Sequence, residues 1–134
     1  MAVFQLSAEY KMTTGIGSTE RFLSENEIRD LVHNALASEK LDNKKVLVII
    51  PDQTRTAPIP LFFRLFFENL DSRVEKLDYL VAQGTHQPHT EEELYQLVGI
   101  SASERSTTYS QIGIFNHEWL NPETFIQIGT ITAE

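Results

Sequence analysis

The sequence predicts an α/β fold, a Rossmann-like parallel or mixed sheet with flanking helices, and three observations carry that prediction. Lys45-Val46-Leu47-Val48-Ile49-Ile50 and Leu77 to Val81 are apolar runs of strand length, and the first is a continuous run rich in β-branched residues, suited to a strand covered on both faces. The segment between them, Ile59 to Leu70, has the length and composition of a helix, so the three form a βαβ crossover unit. Capping boxes at Ser24-x-x-Glu27 and Thr90-x-x-Glu93 open a helix before the first run and another after the second.

Taken in chain order, residues 2–12 alternate weakly and predict an edge strand or hairpin, followed by a turn at Gly15-Ile16-Gly17-Ser18. Gly15-x-Gly17 is not a dinucleotide fingerprint, because it lacks a third glycine and no buried strand precedes it. The helix capped by Ser24 carries an apolar face of Ile28, Leu31, Val32, Ala35 and Leu36. Asp42-Asn43-Lys44 turns the chain into the first strand, which stops at Pro51. Prolines 58 and 60 sit near the first turn of the next helix, where a missing N–H costs little. Phe62, Phe63, Phe66 and Phe67 on that helix read as core rather than as a stacking platform, since few basic residues interleave with them. The second strand ends before Gly84, and Glu91 to Val98 forms a short helix. Ile112-Gly113-Ile114-Phe115 and Phe125 to Gly129 read as later strands. The chain stops at Thr132-Ala133-Glu134 just after a strand-like run, an ending that reads as a cut within a larger protein.

The 134 residues suffice for one α/β domain over 1–134 with a sizeable core. A net charge of −8 argues against a nucleic-acid or anionic-membrane surface, both of which need clustered Lys and Arg. With no cysteine, disulfides and thiolate metal sites are excluded. A cytoplasmic setting is expected, since the chain start lacks the basic and apolar regions of a signal peptide and no segment is apolar enough to span a membrane.

Two loops concentrate the chemistry-bearing residues. In open α/β sheets ligands bind beyond the carboxyl ends of the strands. Asp52, Thr54 and Arg55 follow the first strand, and His86 follows the second, so a βαβ unit brings Arg55 and His86 to one cleft. An imidazole held in such a loop can act as an acid or base near neutral pH. Arg55 can clamp a substrate carboxylate with its planar fork, with Asp52 orienting a histidine or hydroxyl nearby. The plain alternative for Asp52 and Arg55 is a turn aspartate and a surface arginine in a weak ion pair. His33 lies within a helix and reads as structural. His86, His89 and His117 could be assembled into a metal site, but they lack an HExxH pattern and His86 and His89 sit in a turn; no metal ligand is assigned. His117 joins the ligand edge only if the Ile112–Phe115 strand is also parallel.

These residues resemble a known family. Asp52-Gln53-Thr54-Arg55-Thr56-Ala57-Pro58 resembles the D-x-T-R-x-x-P signature of the nickel-dependent lactate racemase family. Gly84-Thr85-His86-x-Pro88-x-Thr90-x-Glu92-Glu93 resembles its G-T-H-x-P-x-T-x-E-E signature, and Asn116-His117-Glu118-Trp119 is similar to a further run. The resemblance implies the amino-terminal domain of a longer, two-domain isomerase whose carboxy-terminal domain is absent here. It implies a cofactor, a nickel-pincer pyridinium mononucleotide, whose tethering lysine and ligating histidine lie beyond this chain, so that the fragment binds none and is inactive alone. It implies that His86 is one of two proton-transferring histidines, that Arg55 is the substrate clamp, and that Asp52 and Thr54 line the cofactor-binding site. It implies a small 2-hydroxy acid as substrate, interconverted by hydride transfer to the pincer. The competing reading is a non-catalytic α/β module that binds a small anion through Arg55.

Overall fold

A computed structural model of the chain describes residues 15–131. The expected strand or hairpin at residues 2–12 lies outside the described residues. Two compact units divide the chain, Met1–Glu39 and Lys40–Glu134.

The first unit contributes α1, Glu25–Ala37. Its capping box forms as the sequence predicts: the Ser24 hydroxyl accepts from the Glu27 N–H, and the Glu27 carboxylate accepts from the Ser24 N–H. Arg21 holds that carboxylate with both guanidinium arms, at 2.6 and 2.8 Å, and the donated hydrogen bond keeps the Glu27 carboxyl well below the usual carboxylate range. Val32 is the buried residue of the apolar face. The expected turn at Gly15–Ser18 does not form; these residues are exposed and irregular.

The second unit is a three-stranded sheet of order β1-β2-β3, parallel throughout. Its strands are β1 Lys45–Pro51, β2 Lys76–Ala82 and β3 Gly113–Asn116. Helix α2, Ile59–Leu70, crosses from β1 to β2; α3, Glu91–Val98, and α4, Ala102–Ser106, cross from β2 to β3. The α/β fold and the parallel pairing of the two apolar runs are therefore as the sequence predicts. Asn43 enters β1 with φ 57°, a left-handed conformation that asparagine tolerates, and its N–H bonds the Arg73 carbonyl at 2.8 Å.

The core lies on one face of the sheet. Register aligns Ile50 with Val81 and Val48 with Tyr79, and Leu77, Tyr79 and Val81 are buried. Helix α2 packs there through its aromatic residues: Phe63 stacks on Tyr79 with centroids 4.7 Å apart and meets Tyr109 edge-on at 5.0 Å. The Tyr79 hydroxyl donates to the Phe63 carbonyl, so its polar end is satisfied inside the core. Leu94 and Val98 of α3 and Ile112 before β3 complete the buried set. Gly99 ends α3 at φ 70°; a side chain there would strain the backbone and bring a Cβ to 2.7 Å from the Pro60 Cβ.

The opposite face corrects one expectation. β1 is not covered on both faces: Leu47 and Ile49 are 53% and 65% exposed. β1 is an edge strand of this sheet, and its continuous apolar run does not reveal which face has a helix on it. A second correction concerns Phe125–Gly129, which forms no strand. Ile126 and Ile128 there are exposed, and the segment pairs with neither edge strand of the sheet. No described helix is long and apolar enough to cross a membrane.

Candidate functional site

Because the three strands are parallel, the loops that follow them open on one edge. β1 ends at Pro51, which has no N–H to extend the ladder, and Asp52 follows, 4% exposed. Its Oδ1 accepts the Thr54 N–H at 3.0 Å and the Thr54 hydroxyl at 2.5 Å, an Asx turn that closes the loop on itself. The Asp52 carbonyl accepts the Arg55 N–H at 3.2 Å.

The loop after β2 begins with the buried Gln83. Gly84 takes φ 61°, the left-handed conformation that lets the chain reverse and the His86 N–H reach the Gln83 carbonyl at 3.1 Å. This presents the His86 side chain, 57% exposed, to the buried Asp52, and His86 Nδ1 lies 2.5 Å from Asp52 Oδ2. Each Asp52 oxygen thus has its own partner. The Thr54 hydroxyl first, then His86, hold the Asp52 carboxyl down at about 2, so it is ionised at neutral pH. An ionised carboxylate only accepts hydrogen bonds. Nδ1 of His86 therefore carries the proton, and in the neutral ring the Nε2 lone pair is left to take a proton from a ligand.

The loop after β3 supports the His86 loop from the other side. The Asn116 side chain accepts the His89 N–H at 2.9 Å and donates to the His89 carbonyl at 2.8 Å. Trp119 Nε1–H donates to the His86 carbonyl at 3.2 Å, and Gln83 Nε2–H donates to the His117 carbonyl at 3.3 Å. β3 is parallel, so His117 does stand at this edge; its ring meets Phe125 edge-on at 5.7 Å. With Pro88, Trp119 and Leu120 it lines a recess of about 220 Å³. The Asn116–Trp119 run is noted in the sequence only as a resemblance, and the contacts of Asn116, Trp119 and Gln83 escape sequence reasoning, since their partners are 27 to 34 residues away.

The structure brings Asp52, Thr54 and His86 into direct contact. Arg55 shares their loop, but its side chain lines a groove of about 280 Å³ between the start of α2 and α3, with Gln53, Glu93, Gln96, Ile59 and Leu97. His86 is not among the residues lining that groove. A recess of about 530 Å³ lies at the other edge, against Lys76 and Leu77 at the start of β2 and Ile112 before β3. Volume does not mark the site here, because the strand ends that collect the loop chemistry are at the opposite edge. His89 is buried, and neither of its ring nitrogens has a partner among the described residues. No three His, Asp or Glu of the described residues gather in a way that could hold a metal ion; His86, His89 and His117 do not form such a group.

Comparison with known proteins places the chain in a family. Residues 10–134 match the family described as the lactate racemase N-terminal domain. A solved structure from Thermotoga maritima, a structural-genomics target, is similar at 31% identity with a TM-score of 0.61. The match covers 75% of this chain and 23% of that one, so the chain spans about a quarter of that protein's length. No curated protein matches.

Proposed function

The chain belongs to the lactate racemase N-terminal domain family, and from that premise we propose that it is the amino-terminal domain of a longer isomerase that interconverts enantiomers or epimers of a 2-hydroxy acid. The observation that carries this reading is the Asp52–His86 pair at the carboxyl edge of the sheet. A buried, ionised carboxylate that fixes the Nδ1–H of an exposed imidazole is the arrangement a general base needs.

In this reading each residue has one task. Arg55 holds the substrate carboxylate through its paired N–H groups. His86 Nε2 takes the proton of the substrate hydroxyl as the C2 hydrogen leaves, and returns it in the reverse direction. Asp52 keeps the ring in the required tautomer and stabilises the imidazolium that forms. Thr54 fixes Asp52. One histidine serves one face of the C2 carbon, so a second proton-transferring group comes from outside this chain. The domain alone is inactive.

The nickel-pincer nucleotide implied for the whole enzyme would accept the C2 hydrogen as hydride. The residues present do not fit the metal: no ligand cluster exists among the described residues, and neither site loop contains a lysine to tether a nucleotide. Ligation and tethering are therefore assigned to the remainder of the longer protein.

A second reading draws on the Arg55 groove. His86 does not line it, so a non-catalytic module holding a small anion at Arg55 is the competing account. The test is the full-length parent, loaded with cofactor and assayed against a panel of 2-hydroxy acids for loss of optical rotation. Interconversion of at least one acid is expected, with none by the 134-residue chain. Anion binding at Arg55 without turnover by the parent would favour the second reading.

A further inference from the structure

The His86 loop is held by the loop after β3 at three successive points. Gln83 at its start bonds the His117 carbonyl, His86 itself receives the Trp119 indole N–H on its carbonyl, and His89 at its end is paired through both N–H and C=O to the Asn116 side chain. The pairing at His89 is an amide–peptide match: Asn116 supplies one donor and one acceptor to the donor and acceptor of a single residue. Asn116 is the last residue of β3 and pairs in register with Val81, so the anchor is rigid. Between Gln83 and His89 the loop has one internal backbone bond, His86 N–H to the Gln83 carbonyl. Gly84 in this loop is unhindered, with nothing near the Cβ it lacks. Apart from the Asp52 contact on the ring itself, nothing within the loop fixes where the imidazole stands.

We propose that Asn116 and Trp119 are positioning residues for His86: they clamp its loop so that Nδ1 stays on Asp52 and Nε2 faces outward. Asn116 acts through the His89 backbone and Trp119 through the His86 carbonyl. Both hydrogen-bond backbone groups rather than the imidazole, so they position the ring and are not catalytic residues. The inference rests on the proposed function only for its consequence in turnover; the clamp itself is a property of this chain.

The distinguishing readout is the tautomer of the neutral His86 ring, taken from the ¹⁵N signals of the imidazole in the 134-residue chain above pH 8. Wild type is expected to show Nδ1 protonated. Asn116→Ala and Trp119→Phe should each reduce the Nδ1–H population at least two-fold, with far-ultraviolet circular dichroism unchanged. Asn116→Asp keeps the acceptor for the His89 N–H and loses the donor, and should fall between wild type and Asn116→Ala. In the full-length parent the Ala variant should lower kcat roughly 10–10²-fold with KM little changed, as misplacement of a reacting group does. Folded variants that keep the wild-type tautomer overturn the proposal. Should Asn116→Ala unfold, Trp119→Phe, which removes one hydrogen bond and keeps an aromatic ring, decides it alone. A clamp seen by NMR in a parent without racemase activity would sink the functional reading and leave the clamp standing; an active parent whose variants keep the tautomer would do the reverse.

Discussion

Asp52 Oδ2 and His86 Nδ1 lie 2.5 Å apart, although 34 residues separate them in sequence. Adjacent parallel strands make this contact. β1 and β2 pair in register to Pro51 and Ala82, so the residues just beyond both strands meet at one edge. Burial separates the partners: Asp52 is inside, and His86 is more than half exposed. A carboxylate taken from water must be hydrogen-bonded to stay ionised, and Thr54 and His86 supply those bonds. The cost of burying Asp52 is thus tied to the orientation of His86.

Arg55 is placed by its backbone, through the Asp52 carbonyl, while its side chain is exposed in a groove. Arg55→Lys in the parent should raise KM about ten-fold or more with a smaller change in kcat, because a point charge cannot reproduce a two-pronged contact to a carboxylate. The melting temperature should hardly move. Steady-state kinetics beside a thermal melt separates the two, and an unchanged KM would remove Arg55 from substrate binding.

Stability should fall on acidification through the carboxylate range. The folded Asp52 carboxyl sits at about 2 against an ordinary value of 3.8. A depressed carboxyl contributes stability that is fully present above its unfolded value and disappears as pH falls through its folded one. The fall therefore spans about pH 4 to 2. Glu93 and Glu104 add to it, held low by the Thr90 and Ser101 N–H groups they accept. Urea midpoints measured against pH should show this decline, and Asp52→Asn should make it shallower. A decline of equal depth in that variant would mean Asp52 contributes nothing to it.

Core and open face should respond oppositely to substitution. Phe63 is 1% exposed between Tyr79 and Tyr109, and Phe63→Ala should cost about 3–5 kcal/mol. Ile49 is 65% exposed, and Ile49→Thr, which keeps the β-branch, should cost less than about 1 kcal/mol. Gly99→Ala should cost roughly 1–2 kcal/mol, through positive φ and the approach to Pro60. Chemical denaturation of the three variants checks the order. An Ile49→Thr loss as large as that of Phe63→Ala would mean the open face is covered in solution.

Much of this was legible in the sequence, for reasons that differ by element. Ile59–Leu70 and Glu91–Val98 were fixed by prolines and a capping box, local signals that tertiary packing did not override. Ser101-x-x-Glu104 carries the same signature, yet its helix is five residues long, too short for a periodic apolar face to mark it. The exposure of Leu47 and Ile49 is not legible in the sequence, because an apolar run reports hydrophobicity without reporting which face is covered. Phe125–Gly129 has strand composition, but a strand exists only beside another. At the site, the loop positions of Asp52, Thr54, Arg55 and His86 followed from the βαβ pattern. Which groove Arg55 lines did not, since that depends on side-chain direction in the loop after β1. The Asn116 and Trp119 contacts depend on where β3 pairs, which spacing alone does not determine.

His86 is the proposed proton-transferring group, and its most direct test is the rate at which the cofactor-loaded full-length parent interconverts the enantiomers of its 2-hydroxy acid with His86→Ala in place. Turnover reduced roughly 10²–10⁴-fold is expected, the usual worth of a positioned general base, with the melting temperature and KM close to wild type. Wild-type turnover in that variant, or a loss no larger than its fall in melting temperature explains, would contradict the account and leave the Asp52–His86 pair as a structural contact between two loops.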